Sequence, residues 1–193
     1  MRKGRLFYVI GPSGSGKDTL MQYAREKLAA CNKIVFAHRY ITRLPELVGE
    51  NHIHLSEEEF AAKEKQGFFT MQWDSHGLRY GIGKEINFWL TQGFNVVING
   101  SREYFFTALE KEPDMQVVLI RSSTDVLRER LKKRRRETDE EIENRLERAV
   151  LFNRICHPNV TFLENDGLLE DCGTAFIALL TQEKTAQHGN DIA

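Results

Sequence analysis

Cysteine is scarce in this 193-residue sequence, and what there is has no pairing pattern. Cys31, Cys156 and Cys172 form no C-x-x-C pair, which removes any basis for a paired-cysteine site and fits reduced thiols of a cytoplasmic protein. Neither sign of charge is in excess: 27 Lys and Arg face 28 Asp and Glu, a net charge of -1, so nothing favours nucleic acid or a membrane surface as a partner. No apolar run is long enough to cross a bilayer. The first, Leu6 to Ile10, follows a basic N-terminus as in a signal peptide. It enters a glycine-rich loop at once and is better taken as a strand. There is no internal repeat and no linker, so the length suits one domain with a sizeable core. His52 and His54 are the only histidines at ligand-like spacing, and without a cysteine or third ligand nearby they exclude a zinc site. The absence of a His-Arg-Asp loop and of Asn-Lys-x-Asp argues against a protein-kinase mechanism and a regulatory GTPase.

What is present is an alternation of apolar runs and helical patterns. Strands are expected at 6–10, 33–37, 68–73, 94–99, 115–120 and 159–163, and helices at 19–28, 57–66, 84–92, 124–134, 139–154 and 168–180. Ser56 with Glu59 and Thr138 with Glu141 fit capping boxes. Ile142, Leu146, Ala149 and Val150 form one apolar helix face. Continuous apolar strands suggest a parallel sheet covered on both faces, and the order predicts an α/β three-layer sandwich with a mostly parallel sheet. The domain should span 1–180, with a polar tail at 181–193.

The most informative stretch is Gly11-Pro12-Ser13-Gly14-Ser15-Gly16-Lys17-Asp18, which fits G-x-x-x-x-G-K between a strand and a helix. In that setting backbone N–H groups face a phosphate, the helix N-terminus adds positive charge, and a lysine reaches the β- and γ-phosphates. Gly11, Ser13, Gly14, Ser15, Gly16, Lys17, Asp18 and Thr19 are therefore the expected ATP-binding residues. Asp18 stands where a Mg²⁺-binding Ser or Thr is usual. A carboxylate is also a hard ligand, so Asp18 is the candidate for Mg²⁺, with Thr19 or water as substitutes.

His38 to Arg43 follows a strand and offers two arginines, a histidine and two hydroxyls, a set suited to a phosphorylated substrate. Asn99 ends a buried strand, where it either binds a metal-held water or the substrate or caps the strand. Ser101 and Arg102 follow in the same loop, and Arg102 suits acceptor binding. Trp73, Asp74 and His76 are expected in a loop before Tyr80, with Trp73 packing in the core.

The phosphate loop with Tyr40-Ile41-Thr42-Arg43, Gly49-Glu50, Leu55 to Phe60, Tyr80-Gly81, Arg130 to Arg134, Glu140 to Leu146 and Asn165-Asp166 resembles the guanylate kinase superfamily of P-loop kinases, from about Phe7 to Leu180. The resemblance implies a core, an acceptor-binding region at about 38–83 and a lid at about 132–140, closing around ATP–Mg²⁺ and a phosphorylated acceptor. It implies lid arginines that stabilise the moving phosphoryl group, here Arg130, Arg134 and Arg145 beside Lys17. Met71 and Ile82 fall where guanylate kinases read guanine with a carboxylate and a hydroxyl, and Glu46 and His52 fall where they bind phosphate with an arginine and a tyrosine.

Gly11 to Asp18, Ala37 to Arg43, Glu50 to Ile53, Tyr80 to Gly83 and Asn99-Gly100-Ser101-Arg102 are similar to the ribose 1,5-bisphosphate phosphokinase family of bacterial phosphonate breakdown. That resemblance implies a phosphotransferase acting on a phosphate acceptor. ATP and Mg²⁺ would convert ribose 1,5-bisphosphate to 5-phosphoribosyl 1-diphosphate. Arg39, Tyr40, Arg43, His52, Arg79, Tyr80, Asn99, Ser101 and Arg102 are then the acceptor-binding candidates. The partners expected are small molecules, with no nucleic acid or membrane, in a monomer or homodimer. The alternatives are a nucleoside monophosphate kinase with altered base choice and a non-catalytic binding domain of the same fold.

Overall fold

The computed structural model describes residues 3–44, 52–134, 138–152, 155 and 157–182. Glu46, Gly49, Glu50, Asn51, Arg135, Arg136, Cys156, the tail from Glu183 and the side chain of Arg134 lie outside the described residues. In chain order the elements are β1 (Leu6–Ile10), α1 (Lys17–Lys27), β2 (Ile34–Phe36), β3 (Tyr40–Ile41), β4 (Ile53–His54), α2 (Glu57–Lys65), β5 (Phe69–Ser75), β6 (Leu78–Gly83), α3 (Glu85–Thr91), β7 (Asn95–Asn99), α4 (Phe105–Lys111), β8 (Gln116–Arg121), α5 (Thr124–Arg134), α6 (Asp139–Phe152), β9 (Val160–Glu164) and α7 (Leu169–Thr181).

The main sheet is parallel throughout, in the order β2-β7-β1-β8-β9. β1 lies at its centre and is buried along its whole length, as an apolar run between two neighbours requires. Its side chains alternate between two cores. Leu6, Tyr8 and Ile10 pack with Ile86 and Leu90 of α3 and Phe105, Ala108 and Leu109 of α4. Phe7 and Val9 pack with Leu20 and Ala24 of α1 and Cys172, Phe176 and Leu180 of α7. Helices on both faces make the three layers. Burial pushes the Cys172 thiol up to about 11, so it remains protonated within this layer.

α5 and α6 form a separate helical pair that packs through Leu127, Leu131, Ile142, Leu146 and Ala149. Val150, expected on that face, is 46% exposed, because one residue past Ala149 the helix has turned it away from α5. Both capping boxes form: Glu59 N donates to Ser56 Oγ and Glu141 N to Thr138 Oγ1, each returned by the glutamate's carboxylate on the cap's N–H.

The second sheet has the order β4-β3-β6-β5, and of its strands only β5 was expected, as the strand at 68–73. Tyr40 and Ile41, expected in a loop, pair with Gly81 and Tyr80 of β6. Asp74, expected in the loop before Tyr80, belongs to β5, which extends the strand expected at 68–73 to Ser75 and turns back at once. The turn residues His76 and Gly77 have φ of 53° and 72°. Positive φ at both positions matches the right-handed twist of a two-residue hairpin. Within this hairpin Met71 pairs with Ile82, and both are fully buried in the core under the sheet.

Candidate active site

The phosphate loop joins β1 to α1. Gly16 precedes the helix at φ 79°, and a Cβ there would lie 2.5 Å from Asn165 Nδ2. Glycine at this point lets Asn165 from the end of β9 donate to the Ser15 carbonyl at 2.6 Å, which locks the loop against the sheet. Ser15 is buried in this lock, while Gly11, Ser13, Gly14, Gly16, Lys17, Asp18 and Thr19 line an open cleft of about 330 Å³.

Three side chains meet at the head of α1. Lys17 Nζ donates to Asp18 Oδ1 and Asn99 Oδ1, each at 2.6 Å, and Asn99 Nδ2 donates to Asp18 Oδ1 at 2.9 Å. Asn99 reaches them because β7 neighbours β1, so its last residue ends level with the loop. Burial pushes the Asp18 carboxyl up, but the Lys17 ammonium outweighs it, with help from Arg39 and Asn99, and holds the group below the usual carboxylate range. The donor set fits a hard cation: one carboxylate and one amide oxygen converge on a point now held by an ammonium. Mg²⁺ bound through few protein oxygens, with phosphates and water as the rest, needs no more.

Across the cleft from the loop stand Arg39, Trp73, Tyr80 and residues 99–103, with Arg145 entering from α6. The aromatic groups form a column. Tyr104 stacks on Trp73 at 5.4 Å, Trp73 on Tyr80 at 5.5 Å, and the Arg39 guanidinium caps Tyr80 at 5.0 Å. Arg145 Nη1 donates to Ser13 Oγ at 2.8 Å, spanning from α6 to the phosphate loop. Burial works against the charge on Arg102.

The loop after β7 is pinned by Tyr8, whose hydroxyl donates to the Ser101 carbonyl at 2.8 Å and accepts from Ser101 N at 2.9 Å. Burial raises the Tyr8 pKa well above the ordinary phenol range, so the hydroxyl keeps its proton. Gly100 is required for this contact, since a Cβ would lie 2.3 Å from Tyr8 Cζ. Gly100→Ala should therefore destabilise the fold by about 1–3 kcal/mol. It should also raise the acceptor KM more than the ATP KM, read by thermal unfolding and steady-state kinetics.

The structure thus brings Lys17, Asp18, Arg39, Tyr80, Asn99, Ser101, Arg102 and Arg145 to one cleft. Besides these and the phosphate-loop residues, the other described candidates Tyr40, Arg43, His52, Arg79 and Arg130 do not line it. Tyr40 packs edge-on against Phe68 at 5.2 Å. The Arg43 carbonyl accepts hydrogen bonds from His52 Nε2 at 2.8 Å and His54 Nδ1 at 3.0 Å. Arg79 lies over the Phe60 ring and pairs with Glu64 and Asp74. Arg130 reaches the Ser15 carbonyl and Ser122 Oγ, and lines a second cavity of about 360 Å³ with Thr19, Lys133, Asn165 and Leu169. Tyr8, Glu103 and Tyr104 were not singled out from sequence. Tyr8 is hidden in an apolar strand, and Glu103 and Tyr104 gain meaning only through the β5 hairpin they face.

A family model described as an AAA domain matches residues 8–151. The chain is 52% identical to the ribose 1,5-bisphosphate phosphokinase of Thiobacillus denitrificans, covering 94% of this chain and 95% of that protein. It is 51% identical to that of Psychromonas ingrahamii (94% and 92% covered) and 48% identical to that of Burkholderia pseudomallei (93% and 97%). Among solved structures it resembles the guanylate kinase of Anaplasma phagocytophilum, with a TM-score of 0.66 at 16% identity, covering 93% of this chain and 86% of that one. That likeness speaks for the fold alone.

Proposed function

The chain belongs to the ribose 1,5-bisphosphate phosphokinase family, and we propose that it transfers the terminal phosphoryl group of ATP to the 1-phosphate of ribose 1,5-bisphosphate, yielding 5-phosphoribosyl 1-diphosphate and ADP. One observation carries this reading beyond the family's name. The cleft running from the phosphate loop is faced by Arg39, Arg102 and Arg145, while Met71 and Ile82, which align with the base-reading positions of guanylate kinases, are sealed in an apolar core. Cations facing the cleft suit phosphates, and among the described residues these two apolar side chains offer no group to read a base.

The acceptor atom is a phosphate oxygen, already an anion near neutral pH, so no general base has to remove a proton. Catalysis then consists of positioning and charge neutralisation. The loop amides and Lys17 hold the β- and γ-phosphates. Arg145 reaches the same loop from α6 and neutralises charge on the group in transit. The cavity lined by Thr19, Arg130, Lys133, Asn165 and Leu169 adjoins the loop and suits the nucleoside part of ATP. Asp18 and Asn99 would hold Mg²⁺, which supplies positive charge to the phosphates when bound. No helix among the described residues is long and apolar enough to cross a membrane. A cytoplasmic activity is part of the proposal, its support being that ATP and a sugar bisphosphate are charged metabolites that do not cross bilayers unaided.

The direct test measures ADP release from ATP–Mg²⁺ with ribose 1,5-bisphosphate and, separately, with each nucleoside monophosphate. Turnover of the bisphosphate should exceed that of GMP by about 10² or more in kcat/KM, the size of discrimination that apolar positions exert against an unpaired polar group. In the same assay Asp18→Asn should need at least about tenfold more Mg²⁺ for half-maximal rate. Turnover of a nucleotide but not of the bisphosphate would overturn the function, and an unchanged Mg²⁺ requirement would remove Asp18 from the metal site.

A further inference from the structure

The cleft does not end at Arg102. Past Arg102 and His76 it continues into a side lobe of about 230 Å³ between the loop after β7 and α6, to which Ser13, Arg102, Asn144, Arg145 and Arg148 contribute. Lys17, Asp18 and Asn99 do not line this lobe. It adjoins the cleft, sharing Ser13, His76, Arg102 and Arg145 with it, and lacks Lys17, the residue that would hold the nucleotide's terminal phosphate.

Three guanidinium groups reach this one lobe from two elements. Arg145 and Arg148 are three residues apart on α6 and so project from the same side of the helix. Arg102 comes from the loop that Tyr8 pins. Arg148 Nε is oriented by a 3.2 Å bond to the Asn144 carbonyl. Burial disfavours the Arg102 charge, Glu103 favours it, and Arg148 adds like-charge repulsion. Glu141 also lines the lobe, but its carboxylate accepts from both Thr138 N and Thr138 Oγ1 in the helix cap. His76 sits at the hairpin turn, its backbone held at φ 53°, which fixes the edge of the lobe. Cations gathered in a concave site against their own repulsion are what an anion would relieve, and the planar guanidinium fork matches phosphate oxygens.

We propose that this lobe is the subsite for the acceptor phosphate that does not react, the one on C5, and that Arg148 is a specificity residue for it. The assignment rests on the bisphosphate reading above. A pentose with a phosphate at each end places one at Lys17 and Arg39 for transfer and the other in the lobe. A nucleoside monophosphate carries a single phosphate and leaves one of the two positions empty. The enzyme then chooses its acceptor by counting phosphates rather than by reading a base.

The test uses the full chain and two half-ligands: ribose 5-phosphate, which carries only the distal phosphate, and ribose 1-phosphate, which carries only the reacting one. Arg148 is exposed on α6, so Arg148→Ala leaves the fold intact. The variant should raise the KM for ribose 1,5-bisphosphate and the inhibition constant of ribose 5-phosphate by about tenfold or more, the loss of one charge-assisted fork. The KM for ATP, kcat at saturation and the affinity for ribose 1-phosphate should stay within about twofold. Arg148→Lys, which keeps the charge and loses the fork, should recover part of the loss. An unchanged inhibition constant for ribose 5-phosphate, or an equal loss for ribose 1-phosphate, overturns the subsite while leaving the function standing. A wild-type chain that does not turn over the bisphosphate overturns the function, and the subsite assignment goes with it.

Discussion

Lys17→Met should lower kcat/KM for ADP release by about 10³-fold or more, because it removes the charge nearest the transferring group. Methionine keeps the apolar stem, so the loss isolates the ammonium. The same change should be visible without substrate. Lys17 Nζ lies 2.6 Å from Asp18 Oδ1 and is the main influence that opposes burial at that carboxyl. Without it the Asp18 pKa rises. In the parent protein a depressed pKa contributes stability above the ordinary carboxylate range, and that contribution disappears as pH falls through the depressed value. In Lys17→Met that contribution is already absent at neutral pH, so the part of the acid destabilisation linked to Asp18 should shrink, read as a flatter dependence of unfolding free energy on pH in denaturant titrations followed by circular dichroism. An active variant with an unmoved acid limb would separate Lys17 from both the chemistry and Asp18.

Arg145→Ala should reduce kcat by about 10³-fold, the low end of what an arginine supplied to a moving phosphoryl group contributes. The melting temperature should barely change. α6 is held to α5 through Ile142, Leu146 and Ala149 against Leu127 and Leu131; Arg145 flanks this face without belonging to the apolar cluster, so truncating the arginine leaves the cluster intact. The Arg145 Nη1 bond to Ser13 Oγ joins α6 to the phosphate loop rather than to the apolar cluster. Arg145→Lys should restore little, since an ammonium cannot reproduce the two-pronged donor. A kcat within tenfold of the parent would remove Arg145 from the transfer step.

The parallel sheet and the phosphate loop could be read from sequence because both are local. Five apolar residues, then glycines and a lysine, then a helical pattern carry their own meaning, and β1, the loop and α1 follow in that order. Of the second sheet only β5 was legible, as the strand expected at 68–73, and the rest was hidden for the opposite reason. Tyr40–Ile41 is two residues long, and its partner Gly81 lies far along the chain, so neither shows a period of its own. The site divides along the same line. Arg79 and Arg102 look alike in sequence, yet Arg79 lies over Phe60 and pairs with Glu64 from α2 and Asp74 from β5, while Arg102 follows a central strand into the cleft. Charge at a strand end says that a cation is nearby; only the neighbours decide what it faces. Trp73 was weighed as a core residue, and it is one, but the Tyr104–Trp73–Tyr80 column also puts it on the cleft wall. Arg148 carried no signal at all, since on a charged helix it resembles any solvated arginine until the loop holding Arg102 is laid beside it.

The Met71–Ile82 pair also bears on how the lineage can change. Both side chains have zero exposure and sit in the same apolar cluster as Tyr8 and Ile98. A mutational path back to base recognition would have to place a carboxylate at one position and a hydroxyl at the other. The first of those steps buries an unpaired charge in the core, at a penalty of several kcal/mol before any affinity is gained. Selection would meet a loss of folded protein at the first substitution and a new substrate only at the second. The apolar pair is therefore held in place by the stability of the hairpin, whatever the chemistry of the cleft would favour.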